Sequence, residues 1–325
     1  MPDTVLEVEN LRVYYYTLTG VVRAVEDVSL EAYRGEMLAV VGESGSGKST
    51  LGLSLLRMVP PPGRIVSGEV RVAGVDILSL RGEALRRARG ELVSIVFQDP
   101  FTTLDPVRRV GEQLSEVLIE HGVSKSEAVS RAKQLLELVG LPRDVYGRYP
   151  HQLSGGQRQR VAIAAAVALE PAVLVADEPT TALDVVVQEQ IMDLLDSIRR
   201  RSGTTIILVT HDIALAAERA DRIAVMYAGQ LVEYGPAGEL VREPRHPYTK
   251  LLLDSVPDPW RRDRPRPIPG TPPDLRRPPP GCRFHPRCPW RSGRCSSEEP
   301  PLVIEPGGRR GYRCWHPLSR QASIS

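Results

Sequence analysis

Four compact apolar runs punctuate the first 240 residues: MLAVVG at 37–42, LVSIVF at 92–97, AVLVA at 172–176 and TTIILVT at 204–210. Each is short, rich in Val and Ile, and lacks polar alternation, so each reads as a strand buried on both faces. Between them lie amphipathic stretches with a helical period, among them EALRRARG, SEAVSRAKQLLELVG and VVQEQIMDLLDSIRRR. That order predicts an α/β domain around a mainly parallel sheet. The opening stretch, LEVENLRVYYYTLTGVVRAVEDVSLEAYRGE, alternates polar and apolar positions with Gly turns and predicts an antiparallel edge. Near Arg245 the composition changes. RRDRPRPIPGTPPDLRRPPPG has neither period and predicts an extended, polyproline-like connector. No internal repeat is visible.

Of 325 residues, 42% are apolar and 25% charged, ordinary values for a soluble globular protein. No apolar run approaches the ~18 residues a membrane span needs, and MPDTVLEVEN has no signal-peptide pattern. A cytosolic protein is expected. The net charge of +2 is unevenly spread. Residues 241–325 hold 17 Lys/Arg against 8 Asp/Glu, while residues 1–240 hold 25 against 32. Such a basic tail suits an anionic partner or cofactor, or serves only as a solvated segment.

GESGSGKST, Gly42 to Thr50, follows the first buried run directly. Gly42, Gly45 and Gly47, with Ser44 between them, let backbone wrap a phosphate. The next helix aims its free N–H groups at the anion. Lys48 adds a charge for the β- and γ-phosphates, and the Ser49 hydroxyl is a candidate Mg²⁺ ligand. The run at 172–176 ends in Asp177 and Glu178, where a parallel sheet presents side chains to ligands. Asp177 suits a Mg²⁺ shell and Glu178 a water-polarising base. QLSGGQRQR, from Gln152 to Arg160, is a second cradle, with Ser154, Gly155, Gly156 and Gln157 ahead of a helix expected to reach about Leu169. Two cradles with one Asp–Glu pair imply half-sites that a second cassette completes. No Asn-Lys-x-Asp string marks a GTPase.

These strings, with FQDP at Gln98, TTALD at Asp184 and VTHD at His211, make residues 1 to about 240 closely similar to the ATP-binding cassette of ABC transporters. The resemblance implies a RecA-like P-loop NTPase fold with an antiparallel β subdomain and a helical subdomain at about 99–165. It implies that Lys48, Ser49, Thr50, Gln98, Asp177, Glu178 and His211 grip ATP from one side. Ser154, Gly155 and Gly156 of a partner close over the γ-phosphate from the other. Ser49, Gln98 and Asp177 are its Mg²⁺ ligands, Glu178, His211 and Gln98 its catalytic residues, and Tyr15 its adenine-stacking aromatic, with Tyr14 and Tyr16 as rivals. No motif is degenerate, so this half should hydrolyse ATP. Only about 55 residues separate Gln98 from Leu153. That leaves no room for the coiled coil of DNA-repair members, and one cassette per chain differs from translation-factor members. QDPFTTLDPVRRVGEQLSE is the expected docking region for a membrane subunit.

Beyond Arg245, RHPYTKLLLDSVPDP, IPGTPPDL and GCRFHPRCP resemble the C-terminal extension of oligopeptide/dipeptide-importer ATP-binding subunits. The domain boundary implied is 1–245 for the cassette and 246–325 for an irregular, Cys-rich extension. The partners implied are a second, different ATP-binding subunit, two transmembrane permease subunits and an extracellular solute-binding protein, at the cytoplasmic face of the membrane. No nucleic acid is expected. A soluble ABC ATPase without a membrane partner is the alternative. The only four cysteines, Cys282, Cys288, Cys295 and Cys314, are spaced C-x₅-C-x₆-C-x₁₈-C. A cytosolic setting disfavours disulfides. Zinc prefers tighter pairs, although His285 and His316 keep it open. A four-thiolate [4Fe–4S] cluster tolerates irregular loops, and such tails in the dipeptide-importer subfamily are associated with one. Arg283, Arg287, Arg291, Arg294 and Arg313 are expected to offset its charge. A tail so rich in Pro and Arg is expected to bury little apolar area, with bound metal supplying the missing folding energy.

Overall fold

The structure is a computed structural model and describes residues 3–99, 103–257 and 266–319. Residues 100–102 of the expected docking region, and 258–265, of which 261–265 open the connector, lie outside the described residues. The chain forms two compact units, one from Met1–Leu6, Ala32–Gly35 and Arg71–Ile207, the other from Glu7–Glu31, Glu36–Val70 and Leu208–Ser325.

In the first unit, strands Val93–Val96 and Val173–Asp177 pair in parallel, with Val93 opposite Val173 and Val96 opposite Ala176. Every residue of Val173–Asp177 is buried, as expected of an apolar run without alternation. The N–H of Thr205, which opens the strand Thr205–Thr210, donates to the Ala172 carbonyl at 3.0 Å. Helices Val110–Glu120 and Lys125–Leu138 bury Val110, Leu114 and Leu118, and Ala128, Ala132 and Leu136. The four-residue spacing puts each set on one helix face. Helix Val185–Ser202 starts where the Asp184 carboxylate accepts from the Val187 N–H at 2.9 Å, and ends at left-handed Gly203. The helix expected from Gln157 to about Leu169 runs instead over Gly155–Ala166. Ser154 caps it two residues earlier than expected. At its far end Pro171 disfavours helical backbone before it, and Glu170 has a φ of 51°.

Most residues of the long strands Gly20–Tyr33, Thr4–Thr17 and Gly63–Val72 belong to the second unit; the first two form a hairpin, and Gly63–Val72 lies beside Thr4–Thr17. Strand Met37–Val41, wholly buried, pairs in parallel with Arg222–Tyr227. Arg222–Tyr227 turns back antiparallel into Gln230–Pro236. The two-residue turn, Ala228–Gly229, has positive φ at both positions, the twist a tight hairpin needs. Two short strands of the extension, Val303–Ile304 and Gly311–Tyr312, add to this sheet, with Tyr312 opposite Glu233. They are too short to show a period in the sequence.

The extension is held far better than its composition implied. Helix Pro247–Asp254 starts at His246, whose Nδ1 accepts from the Tyr248 N–H at 3.0 Å. Burial pushes the His246 pKa down to about 3, which keeps the ring neutral and able to accept. Phe284, 1% exposed, packs edge-on against Tyr227 at 5.1 Å and tilted against Tyr248 at 5.3 Å. The expected offsetting of thiolate charge by arginines is revised for four of the five; Arg291 acts as expected, its charge favouring the Cys288 thiolate. Arg283 faces Glu26 and the Ala228 carbonyl, and Arg287 faces Glu43. Arg313 faces Asp27, while Arg294 pairs with Glu298 and stacks on Trp315 at 3.4 Å. Carboxylates nearby outcompete distant sulfur for guanidinium forks.

Candidate functional site

The loop Gly42–Gly47 joins strand Met37–Val41 to helix Lys48–Leu55. Gly42 and Gly47 have φ of 153° and 102°. A Cβ would stand 2.1 Å from the Met226 carbonyl oxygen at Gly42 and 2.0 Å from that of Ala24 at Gly47. Backbone contact alone therefore restricts both positions to glycine. Lys48 is buried, and its Nζ donates to the carbonyls of Gly42 at 2.7 Å and Glu43 at 3.0 Å. The ammonium is thus held across the loop, while Ser44, Gly45 and Ser49 are exposed. Tyr15 reaches this helix, its hydroxyl 3.3 Å from Thr50 Oγ1. Its rivals are engaged elsewhere. Tyr14 donates to Glu26 at 2.7 Å, and Tyr16 lies under the Arg64 guanidinium at 5.8 Å. His211 follows strand Thr205–Thr210 and precedes helix Ile213–Arg219. Asp212 Oδ1 caps that helix by accepting from the Ala214 and Leu215 N–H groups at 2.8 and 3.0 Å.

Glu43 was passed over by sequence reasoning. Its carboxylate takes both terminal nitrogens of Arg287, at 2.6 and 2.9 Å, and its N–H donates to the Tyr248 hydroxyl at 2.8 Å. These partners lie 244 and 205 residues away in the chain, so no local pattern signals them.

In the first unit, Asp177 ends its strand 7% exposed, and Glu178 follows with a φ of 45°. A left-handed glutamate is strained, and such strain concentrates at working sites. Glu178 Oε2 accepts from Gln98 Nε2 at 3.1 Å and from Thr181 Oγ1 at 3.0 Å. Gln98 and Glu178, 80 residues apart, are thus brought together. Ser154 and Gln157 form a reciprocal cap: Ser154 Oγ accepts from the Gln157 N–H at 3.3 Å, and Gln157 Oε1 from the Ser154 N–H at 3.0 Å. Gly155 and Gly156 open the helix between them, and its N-terminal N–H groups suit an anion.

The four cysteines are free thiols that line one pocket with Phe284, Trp290 and Trp315. Burial pushes the Cys288 thiol up to about 11 and the Cys314 thiol up to about 12, and raises Cys282. The neighbouring thiols add to each shift. Cys314 Sγ accepts from the His316 N–H at 3.4 Å, and Cys295 Sγ lies 3.6 Å from Ser292 Oγ. His285 Nδ1 lies 2.9 Å from the Cys282 carbonyl, and His316 Nε2 2.7 Å from Ser292 Oγ. Four thiols on one pocket are the donor type a thiolate-bound group uses. Among the described residues, no three His, Cys, Asp or Glu side chains form a group able to hold a metal ion as they stand.

A glycine loop with its lysine, an Asp–Glu strand end touched by a glutamine, and a capped Ser-Gly-Gly helix define an ABC-type ATP-binding cassette. The profile of the ABC transporter family matches residues 25–181. The profile of the oligopeptide/dipeptide transporter C-terminal region matches residues 232–295. The dipeptide transport ATP-binding protein DppD of Bacillus subtilis is 44% identical, over 96% of this chain and 95% of its own. The oligopeptide transport ATP-binding protein OppD of the same organism is 45% identical, over 91% and 85%. Among solved structures, the dimeric ATP-binding cassette MJ0796 bound to ADP and Pi is 31% identical, with a TM-score of 0.63 over 71% of this chain and 98% of that one. The chain belongs to the oligopeptide/dipeptide family of ABC transporter ATP-binding proteins.

Proposed function

We propose that this chain is the ATP-hydrolysing subunit of an importer for dipeptides, oligopeptides or related solutes. The observation that carries the reading is the Gln98–Glu178 contact at the end of strand Val173–Asp177, in a chain whose relatives are named as peptide transport ATP-binding proteins. Lys48 and the loop amides bind the β- and γ-phosphates. Ser49, Gln98 and Asp177 hold Mg²⁺, which neutralises phosphate charge when bound. Glu178 accepts a proton as water attacks the γ-phosphate, giving ADP and phosphate. His211 orients that end of the nucleotide, and Tyr15 stacks on adenine. Ser154, Gly155 and Gly156 of a second cassette complete the site, so the working unit is a pair, here with a different ATP-binding subunit.

Two permease subunits and an external solute-binding protein complete the importer, and the chain works at the cytoplasmic face of the membrane. Among the described residues no helix is long and apolar enough to cross a membrane. The organisation is a cassette over 1–245 and an extension over 246–325. In the extension, Cys282, Cys288, Cys295 and Cys314 hold a [4Fe–4S] cluster, with zinc as the alternative occupant. The common pocket and the contact of the His316 N–H with Cys314 Sγ support the four-thiolate reading. The test is ATP hydrolysis by the chain purified with its permeases. Turnover that rises with peptide-loaded binding protein supports the reading. Turnover indifferent to the permeases supports a soluble ABC ATPase.

A further inference from the structure

Glu43 is an odd residue for a phosphate loop, because it adds a carboxylate next to the place where a polyanion binds. Three separate contacts fix it. Its backbone carbonyl accepts from Lys48 Nζ at 3.0 Å, its N–H donates to Tyr248, and its carboxylate is forked by Arg287. Arg287 is itself held. Its Nε donates to the Pro269 carbonyl at 2.7 Å, its Nη1 lies 3.3 Å from the Tyr227 hydroxyl, and its side chain is 5% exposed. Arg287 and Tyr248 belong to the extension, whereas Glu43 and Lys48 belong to the loop.

We propose that Arg287 is a positioning residue for ATP binding: it neutralises the Glu43 carboxylate and fixes the loop that carries Lys48. The extension is then part of the phosphate-binding apparatus as well as an appendage to it. A planar guanidinium gripping both carboxylate oxygens fixes direction as well as charge. Without it, an unpaired carboxylate faces the loop and repels the incoming phosphates, an effect that salt screens.

The inference rests on reading Gly42–Thr50 as the ATP phosphate loop. The test measures the affinity of the purified full chain for a fluorescent ATP analogue with Mg²⁺, at low and high salt. Arg287→Met should weaken binding about tenfold, the middle of the range for coupled contacts. Added salt should narrow the deficit. Adding Glu43→Gln to Arg287→Met should restore most of the affinity, because the repelling carboxylate is gone. Arg287→Lys, which keeps charge but not the fork, should fall between and guards against misfolding of the first variant. A melting profile without nucleotide shows that each variant is folded. Wild-type affinity in Arg287→Met overturns the proposal. So does a double variant as weak as Arg287→Met, which reduces Arg287 to a packing role. Lys48→Ala serves as the control, and wild-type binding there overturns the loop reading itself and the proposal with it.

Discussion

Arg310 and Glu233 form an ion pair sealed from solvent, with Arg310 Nη2 3.0 Å from Glu233 Oε1 and side chains 5% and 0% exposed. The Glu233 carboxylate also accepts the N–H groups of Arg245 and His246, each at 2.8 Å. The pair therefore ties the late hairpin of the extension to the point where the extension leaves the sheet. Removing one member leaves a buried charge without its partner, which costs roughly 3–5 kcal/mol. Arg310→Ala should lower the urea unfolding midpoint accordingly. The double variant Glu233→Gln, Arg310→Met should lose clearly less, which equilibrium denaturation of the wild type and the two variants measures.

Glu178→Gln keeps the size of the side chain and its reach to Gln98 and Thr181, but removes the proton acceptor. Hydrolysis should fall by roughly 10²–10⁴-fold, with ATP binding retained. Single-turnover assays separate the two quantities, and near-normal turnover would remove Glu178 from the role of base.

At Gly156 a Cβ would stand 2.6 Å from Val187 Cγ1. Gly156→Ala should therefore destabilise the chain by roughly 1–3 kcal/mol through overpacking and lower ATPase activity. Val187→Ala opens that space, so the double variant should regain stability in thermal melts. An effect of Gly156→Ala that Val187→Ala leaves untouched points instead to lost contact with nucleotide.

Protein purified without oxygen should carry about four iron atoms per chain if the cysteine pocket holds a cubane cluster, or about one zinc if it holds a structural ion. Cys288→Ser should abolish either and loosen the extension. The loosening should be smaller than that of Phe284→Ala, which removes a ring packed on Tyr227 and Tyr248 and costs roughly 3–5 kcal/mol. Limited proteolysis of the two variants ranks them.

What the sequence disclosed followed from what is local. Met37–Val41 and Val173–Asp177 are legible because burial on both faces removes polar residues from a short window. Gly42 and Gly47 are legible because backbone contact admits no side chain there. The cysteines are legible as a group by their spacing alone. Arg287 with Glu43, and Arg310 with Glu233, are not. Each pair joins residues far apart, and each arginine looks in sequence like one more charge in a basic tail. That is why the extension seemed poorly anchored when read from composition. The start of the helix Gly155–Ala166 at Gly155 was hidden for a different reason, since glycines in a first turn read as loop until the reciprocal cap of Ser154 and Gln157 is seen.

Peptide uptake shows whether ATP hydrolysis by this chain drives import. The chain, its partner ATP-binding subunit and its permeases would be reconstituted in liposomes, with ATP on the cassette side and labelled peptide with its binding protein on the other. Uptake should require ATP and be lost in Glu178→Gln while ATP binding remains. Uptake unchanged by Glu178→Gln, or ATP hydrolysis that proceeds fully without permeases and ignores peptide, would contradict that coupling.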